Sequence, residues 1–211
     1  MPNLTKNTEE ADLYSIMSGN IYFSIPLFQR LYVWKPKLVD ALIADFNTVD
    51  DQEDTGHFLG ALITYKEVTA ASRSSRIDLI DGQQRITTIF LFLCAVVRVL
   101  SLKKEAELAG EYAKHYLFVD KILAHERTNS KLLPSLQDRG QLNKILNEIV
   151  KNPDLKKELG PKFKYTAMSA PSNSNEDGQL RNNYNKFQNY LKIKFKDLNK
   201  DQIEQFLNKI L

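Results

Sequence analysis

Arg76-Ile-Asp-Leu-Ile-Asp81, followed at once by Gly82-Gln-Gln-Arg85-Ile-Thr-Thr88, is the stretch on which the fold turns. Arg76-Ile77-Asp78-Leu79-Ile80 alternates polar and apolar residues, the period of a half-buried strand. Asp81-Gly82 breaks that period, because glycine adopts backbone conformations that other residues resist. From Gln83 to about Leu102 the chain then reads as one long helix, with an uncharged apolar heart from Ile86 to Val97. A strand, a glycine turn and a helix start are thus joined without a spacer.

Upstream of this junction, Thr8-Glu9-Glu10 reads as a helix start, with Leu13, Ile16 and Met17 as its apolar face and Gly19 as its end. Residues 21–25 read as a short strand stopped by Pro26. A second helix begins near Pro36 and shows Leu38, Val39, Leu42, Ile43 and Phe46 on one face. The acidic residues 50–54 form a surface loop, residues 57–68 a buried strand, and the polar residues 69–75 a turn. Downstream, residues 105–123 are helical in pattern, Lys131-Leu-Leu-Pro134 is a short extended link, and residues 136–150 form a helix with Leu142, Ile145, Leu146 and Ile149 aligned. Residues 161–178, rich in Pro, Ser, Asn and Gly, read as a loop, and two further helices cover 180–195 and 201–211. No strand is expected beyond residue 103. The fold class is therefore α+β: a small mixed-sheet core over 1–102 and a helical extension over 103–211. The helical pattern runs to the last residue without a cap, which reads as part of something longer.

A chain of 211 residues with 43% hydrophobic content can build one substantial core. The net charge of +3 is too small to argue for nucleic acid. Its distribution is uneven: residues 1–70 hold 5 basic against 10 acidic side chains, and residues 71–211 hold 24 against 16. A basic back half faces either a polyanion or, more ordinarily, water. The one cysteine, Cys94, excludes a disulfide within the chain and any thiolate metal site, and its apolar surroundings make it a core residue. The polar, acidic N-terminus does not resemble a signal peptide, and the 86–97 run is shorter than the ~20 residues that span a bilayer. A cytoplasmic protein without a membrane partner is the expectation, in keeping with a reducing compartment.

The chemistry concentrates at the glycine turn. A helix N-terminus presents unpaired N–H groups and a partial positive charge, a ready anion site. Gly82 permits a tight turn and close approach to a ligand, and Arg85 adds a forked donor suited to phosphate oxygens. Asp81 suits a ribose hydroxyl, a water, or a divalent cation shared with phosphates. Gln83 and Gln84 are neutral and suit the orientation of a water. The same residues would also serve a plain helix start, with Asp81 as cap and Arg85 on the surface. A second polar pair, Gln29-Arg30, interrupts the aromatic and apolar run Ile25-Pro-Leu-Phe-Gln-Arg-Leu-Tyr-Val-Trp34. Such residues either line a pocket or find partners in a core.

The run Ile25–Trp34 together with Asp81-Gly-Gln-Gln-Arg-Ile-Thr-Thr88 resembles the N-terminal domain of GmrSD-type restriction systems. Phe58-Leu59-Gly60, Lys131-Leu-Leu-Pro134 and the aromatic stretch 184–190 extend the resemblance over most of the chain. The resemblance implies a ParB/sulfiredoxin-like core and nucleoside triphosphate hydrolysis that powers or gates the restriction of phage DNA. By position it implies Asp81, Gln84 and Arg85 as catalytic residues. Gln29, Arg30, Gly60, Gly82, Gln83 and Thr87 would bind the nucleotide, with Gly60 a place of close approach. Magnesium is expected with the nucleotide, held in part by Asp81. DNA would be met through the full-length protein. Many members continue into a nuclease domain of the His-Asn-His type; His57, His115 and His125 form no such motif, so the nuclease is expected outside this chain. Two other readings stand beside this one: a DNA-binding or sensing module without catalysis, and a metal-dependent nuclease built on Asp81.

Overall fold

The computed structural model describes residues 9–51, 60–67, 75–123, 128–174 and 177–211. Its first element is α1 (Leu13–Met17), started by Asp12, whose carboxylate accepts the Ser15 N–H at 2.7 Å. The helix begins later than the Glu9-Glu10 pair suggested, and Thr8 lies outside the described residues. A side-chain oxygen bonded to a first-turn N–H outweighs mere acidity nearby, since that N–H has no partner within the helix. Strand β1 (Ile21–Ser24) follows, then α2 (Pro36–Asp51), which opens on proline. Next come β2 (Ile63–Glu67) and β3 (Ser75–Asp81). Of the strand expected over 57–68, Phe58 and Leu59 lie outside the described residues, and the pairing starts only at Ile63. Helix α3 (Gln83–Leu102) starts and stops where the sequence places it.

Beyond Leu102 the helical expectation is corrected. Helix α4 (Ala106–Tyr112) passes into one π-helical turn, Ala113–Leu117. Strand β4 (Phe118–Leu123) follows and pairs antiparallel with β5 (Thr128–Ser130). The wider turn breaks the 3.6-residue period, and Phe118 is held instead by Phe163 and Tyr165, with ring centroids 5.0 and 5.8 Å away. The expected link at 131–134 contains strand β6 (Leu132–Leu133). Helices α5 (Arg139–Val150), α6 (Pro153–Leu159), α7 (Gln179–Lys194) and α8 (Lys200–Ile210) complete the chain. The short α6 has little apolar period to announce it; Asn152 caps it by accepting the N–H groups of Asp154 and Leu155, each at 3.0 Å.

The four-stranded sheet has the order β2-β3-β1-β6. β1 lies parallel to β3 and to β6, with Phe23 opposite both Ile77 and Leu132. β2 is antiparallel to β3 and carries a register shift between Ile63 and Thr64. The sheet is therefore mixed and the architecture α+β. Its fourth strand comes from beyond residue 102, and a single hydrophobic cluster joins Phe23, Leu79 and Phe92 to Leu146, Phe187 and Phe206. Helix α3 runs through that cluster, with Phe90 to Val97 wholly buried. It is apolar all round because it is covered all round, by α4, α5 and α7 among others. The Phe92 ring lies 4.8 Å from Phe46 and 5.4 Å from Phe187, so α2 and α7 meet on it. By length and composition alone α3 is sufficient to cross a membrane, but most of it is buried within the protein. Cys94 sits in the same buried stretch, and desolvation pushes its thiol well above the ordinary range.

Candidate functional site

β3 ends at Asp81, and Gly82 turns the chain with φ 88° and ψ 7°, a left-handed conformation that favours glycine. The end of the Leu62 side chain fills the space that a β-carbon on Gly82 would take. Gly82 is also the residue from which α3 starts, and no side chain among the described residues caps that start. The Asp81 carboxylate accepts the Gly82 N–H at 2.7 Å. It therefore braces the turn, with the Gly82 N–H as its partner. The first-turn N–H groups of a helix lack internal partners, so this end carries donors and a partial positive charge.

Arg85 lies in the first turn of α3 and is half-buried. A β-carbon added to Gly60, whose φ is +95°, would overlap the Arg85 guanidinium. The backbone conformation favours glycine at Gly60, and the Arg85 side chain lies in the space that a β-carbon would occupy. In the structure the group that lies against Gly60 is the Arg85 side chain.

The aromatic stretch after β1 is tied to this turn along its length. Gln29 donates to the Ile80 carbonyl at 3.0 Å and accepts from the Gln83 amide at 3.1 Å. Gln84, 8% exposed, accepts the Val33 N–H at 2.9 Å and donates to the Leu31 carbonyl at 3.0 Å. Both ends of its amide are engaged with the backbone, as a neighbouring strand would engage it. The Tyr32 and Thr88 hydroxyls lie 2.7 Å apart. Gln83 is 7% exposed, and its side-chain oxygen is buried with no hydrogen-bond partner among the described residues. Such an orphan acceptor is uncommon in a folded interior.

Two residues that sequence reasoning passed over hold the stretch from the other side. Asp138 accepts the Tyr32 N–H at 2.9 Å and the Ser135 hydroxyl at 2.7 Å. Burial raises the Asp138 carboxyl above its ordinary range, and those two hydrogen bonds pull it partly back. Asn183 of α7 donates to the Tyr32 hydroxyl at 2.9 Å and to the Trp34 carbonyl at 2.8 Å. Its signal in the sequence is a polar residue on the apolar face Leu180, Tyr184 and Phe187.

The structure therefore brings Gln29, Gly60, Asp81, Gly82, Gln83, Gln84 and Arg85 to one place. Arg30 is exposed, next to Gln29, and Thr87 is buried in α3. His57 and His125 lie outside the described residues; His115 stacks on Tyr14, ring centroids 4.2 Å apart, away from the turn. Among the described residues no three His, Cys, Asp or Glu side chains gather as a metal cluster. Asp81 is exposed and brings a carboxylate to the turn.

A mixed sheet that ends in a glycine turn and a helix start, beside an arginine, is an α+β domain with the makings of an anion site. The chain belongs to the family described as GmrSD restriction endonuclease, N-terminal domain, which matches residues 13–210, from α1 to the end of α8. It is accordingly a domain of a restriction system, a form of anti-phage defence. No curated protein matches the sequence.

Proposed function

We propose that the Asp81–Arg85 turn binds the phosphates of a nucleoside triphosphate, and that the domain hydrolyses it in the service of a nuclease part acting on DNA. The observation that carries this reading is the place of Arg85, laid against Gly60 beside the helix start at Gly82. Helix N–H groups and a guanidinium together match the oxygens of a polyphosphate. The brace from Asp81 to the Gly82 N–H keeps the turn open without filling it. Gln29 and Gln83 supply polar groups at its edge, and Arg30, on the exposed side, can meet the outer phosphates. Gln84 acts by positioning, since both ends of its amide are bonded to the Leu31 and Val33 backbone. Thr87 supports the helix from within.

A lone carboxylate fits a magnesium ion that arrives with its nucleotide, where phosphates and water complete the ligand set. That ion would offset phosphate charge and favour attack by water. A two-metal nuclease needs several ligands around ions ~4 Å apart, a set that Asp81 alone does not make. The test is to incubate the purified domain with magnesium, a triphosphate and phage DNA. Phosphate release without nicking is expected. Asp81→Asn keeps the oxygen that braces Gly82 and loses the charge, so it lowers turnover by about ten-fold or more while binding changes little. Nicked DNA without phosphate release contradicts the reading and favours a nuclease.

A further inference from the structure

The turn after β1 carries a surface that folding does not explain. Leu27 and Phe28 are 74% and 80% exposed. The backbone beside them is nevertheless fixed. The Gln29 N–H donates to the Pro26 carbonyl at 3.0 Å, and its side chain is bonded to Ile80 and Gln83. Gln84 and Asp138 then hold the next residues, Leu31 to Val33. An exposed Leu-Phe pair adds little to stability, and a rigidly mounted one loses little entropy when it meets a ligand. Its neighbours define the kind of ligand. Ile63, 57% exposed, pairs with Asp81 across the sheet, so an exposed apolar residue neighbours the carboxylate. Arg30 is exposed two residues from Phe28, and Arg85 is half-buried at the helix start. Gln29 touches the buried Gln83 side chain, and so ties the loop that carries Phe28 to the first turn of α3. An exposed aromatic ring and a cationic edge together complement a flat base that is joined to a polyphosphate.

We propose that Phe28, backed by Leu27, is the platform on which the base of the bound nucleotide stacks, so that one rigid loop presents both the base contact and the polar edge of the phosphate site. This rests on the nucleotide reading above. It commits to the free nucleotide as the source of the base, with a DNA base as the alternative that the test separates. The experiment is calorimetric titration of the domain and its Phe28→Ala and Phe28→Trp variants with a nucleoside triphosphate, inorganic tripolyphosphate and a single-stranded oligonucleotide. Stacking of one base on an aromatic ring predicts that Phe28→Ala weakens the nucleoside triphosphate by about ten-fold or more. Tripolyphosphate binding stays as in the wild type, and Phe28→Trp restores nucleotide affinity. Unchanged nucleotide affinity in Phe28→Ala overturns the platform and leaves the nucleotide site standing. Equal losses for nucleotide and tripolyphosphate overturn it as well, because Phe28 then only shapes the turn. A loss confined to the oligonucleotide assigns the surface to DNA and also overturns it. A wild type that binds neither nucleotide nor tripolyphosphate overturns the nucleotide reading itself.

Discussion

Asp138 is 5% exposed and accepts two hydrogen bonds, yet it lies in no motif and far in sequence from the loop it holds. Its burial has a pH consequence. The folded state holds the Asp138 proton to a higher pH than the unfolded chain, whose carboxyl titrates near 3.9. Above that value the folded state binds more protons than the unfolded state, so this residue's contribution to stability falls as pH rises through its folded range. Asn at this position keeps an acceptor oxygen and does not titrate. Denaturant titrations should therefore show wild type losing stability relative to Asp138→Asn as pH is raised from below 4 towards neutrality. A gap that is flat, or that grows in favour of wild type, contradicts the burial argument. Single residues were legible in the sequence where the local chain decides their role. Gly82 is one, because its turn is local. The role of Gln84 was not legible, because its partners Leu31 and Val33 lie 53 and 51 residues away and are backbone atoms. Nothing in their side chains announces the contact.

Among the elements, α3 and β4 mark the two extremes of legibility. The α3 boundaries follow from an apolar run with a glycine before it, and its full burial follows from the absence of a polar face between Ile86 and Val97. Phe92 is wholly buried between Phe46 and Phe187. Phe92→Ala should remove both ring contacts and cost about 3–5 kcal/mol of folding free energy by transfer and cavity terms. A denaturant midpoint that barely moves would mean that α2 and α7 do not meet on this ring. β4 was hidden because a helical pattern continues into Ala113–Leu117, where the backbone widens to a π-helical turn. Its pairing with β5 and the packing of Phe118 on Phe163 and Tyr165 are tertiary contacts that no local period encodes. β6 is two residues long, too short to show any period, and it is set by its place beside β1.

At the scale of the molecule, the helices beyond residue 102 do more than extend the sheet. β6 closes it on one side, and Asn183 and Asp138 hold the loop that carries Gln29 and Arg30 against the turn. The position of that loop is thus set by chain segments from both halves, and one hydrophobic cluster spans them. The sequence shows the turn and the family resemblance, and the family match agrees with the latter. It does not show that Gly60 makes room for Arg85, since the two meet only in the folded chain. The measurement that tests the account most directly is the binding of a nucleoside triphosphate to wild type and to Arg85→Ala, in magnesium. Loss of a charge-assisted phosphate contact, about 1.5–3 kcal/mol, predicts affinity reduced by roughly ten-fold or more with thermal unfolding unchanged. Equal affinity in the two proteins would contradict the assignment of the Asp81–Arg85 turn as the nucleotide site.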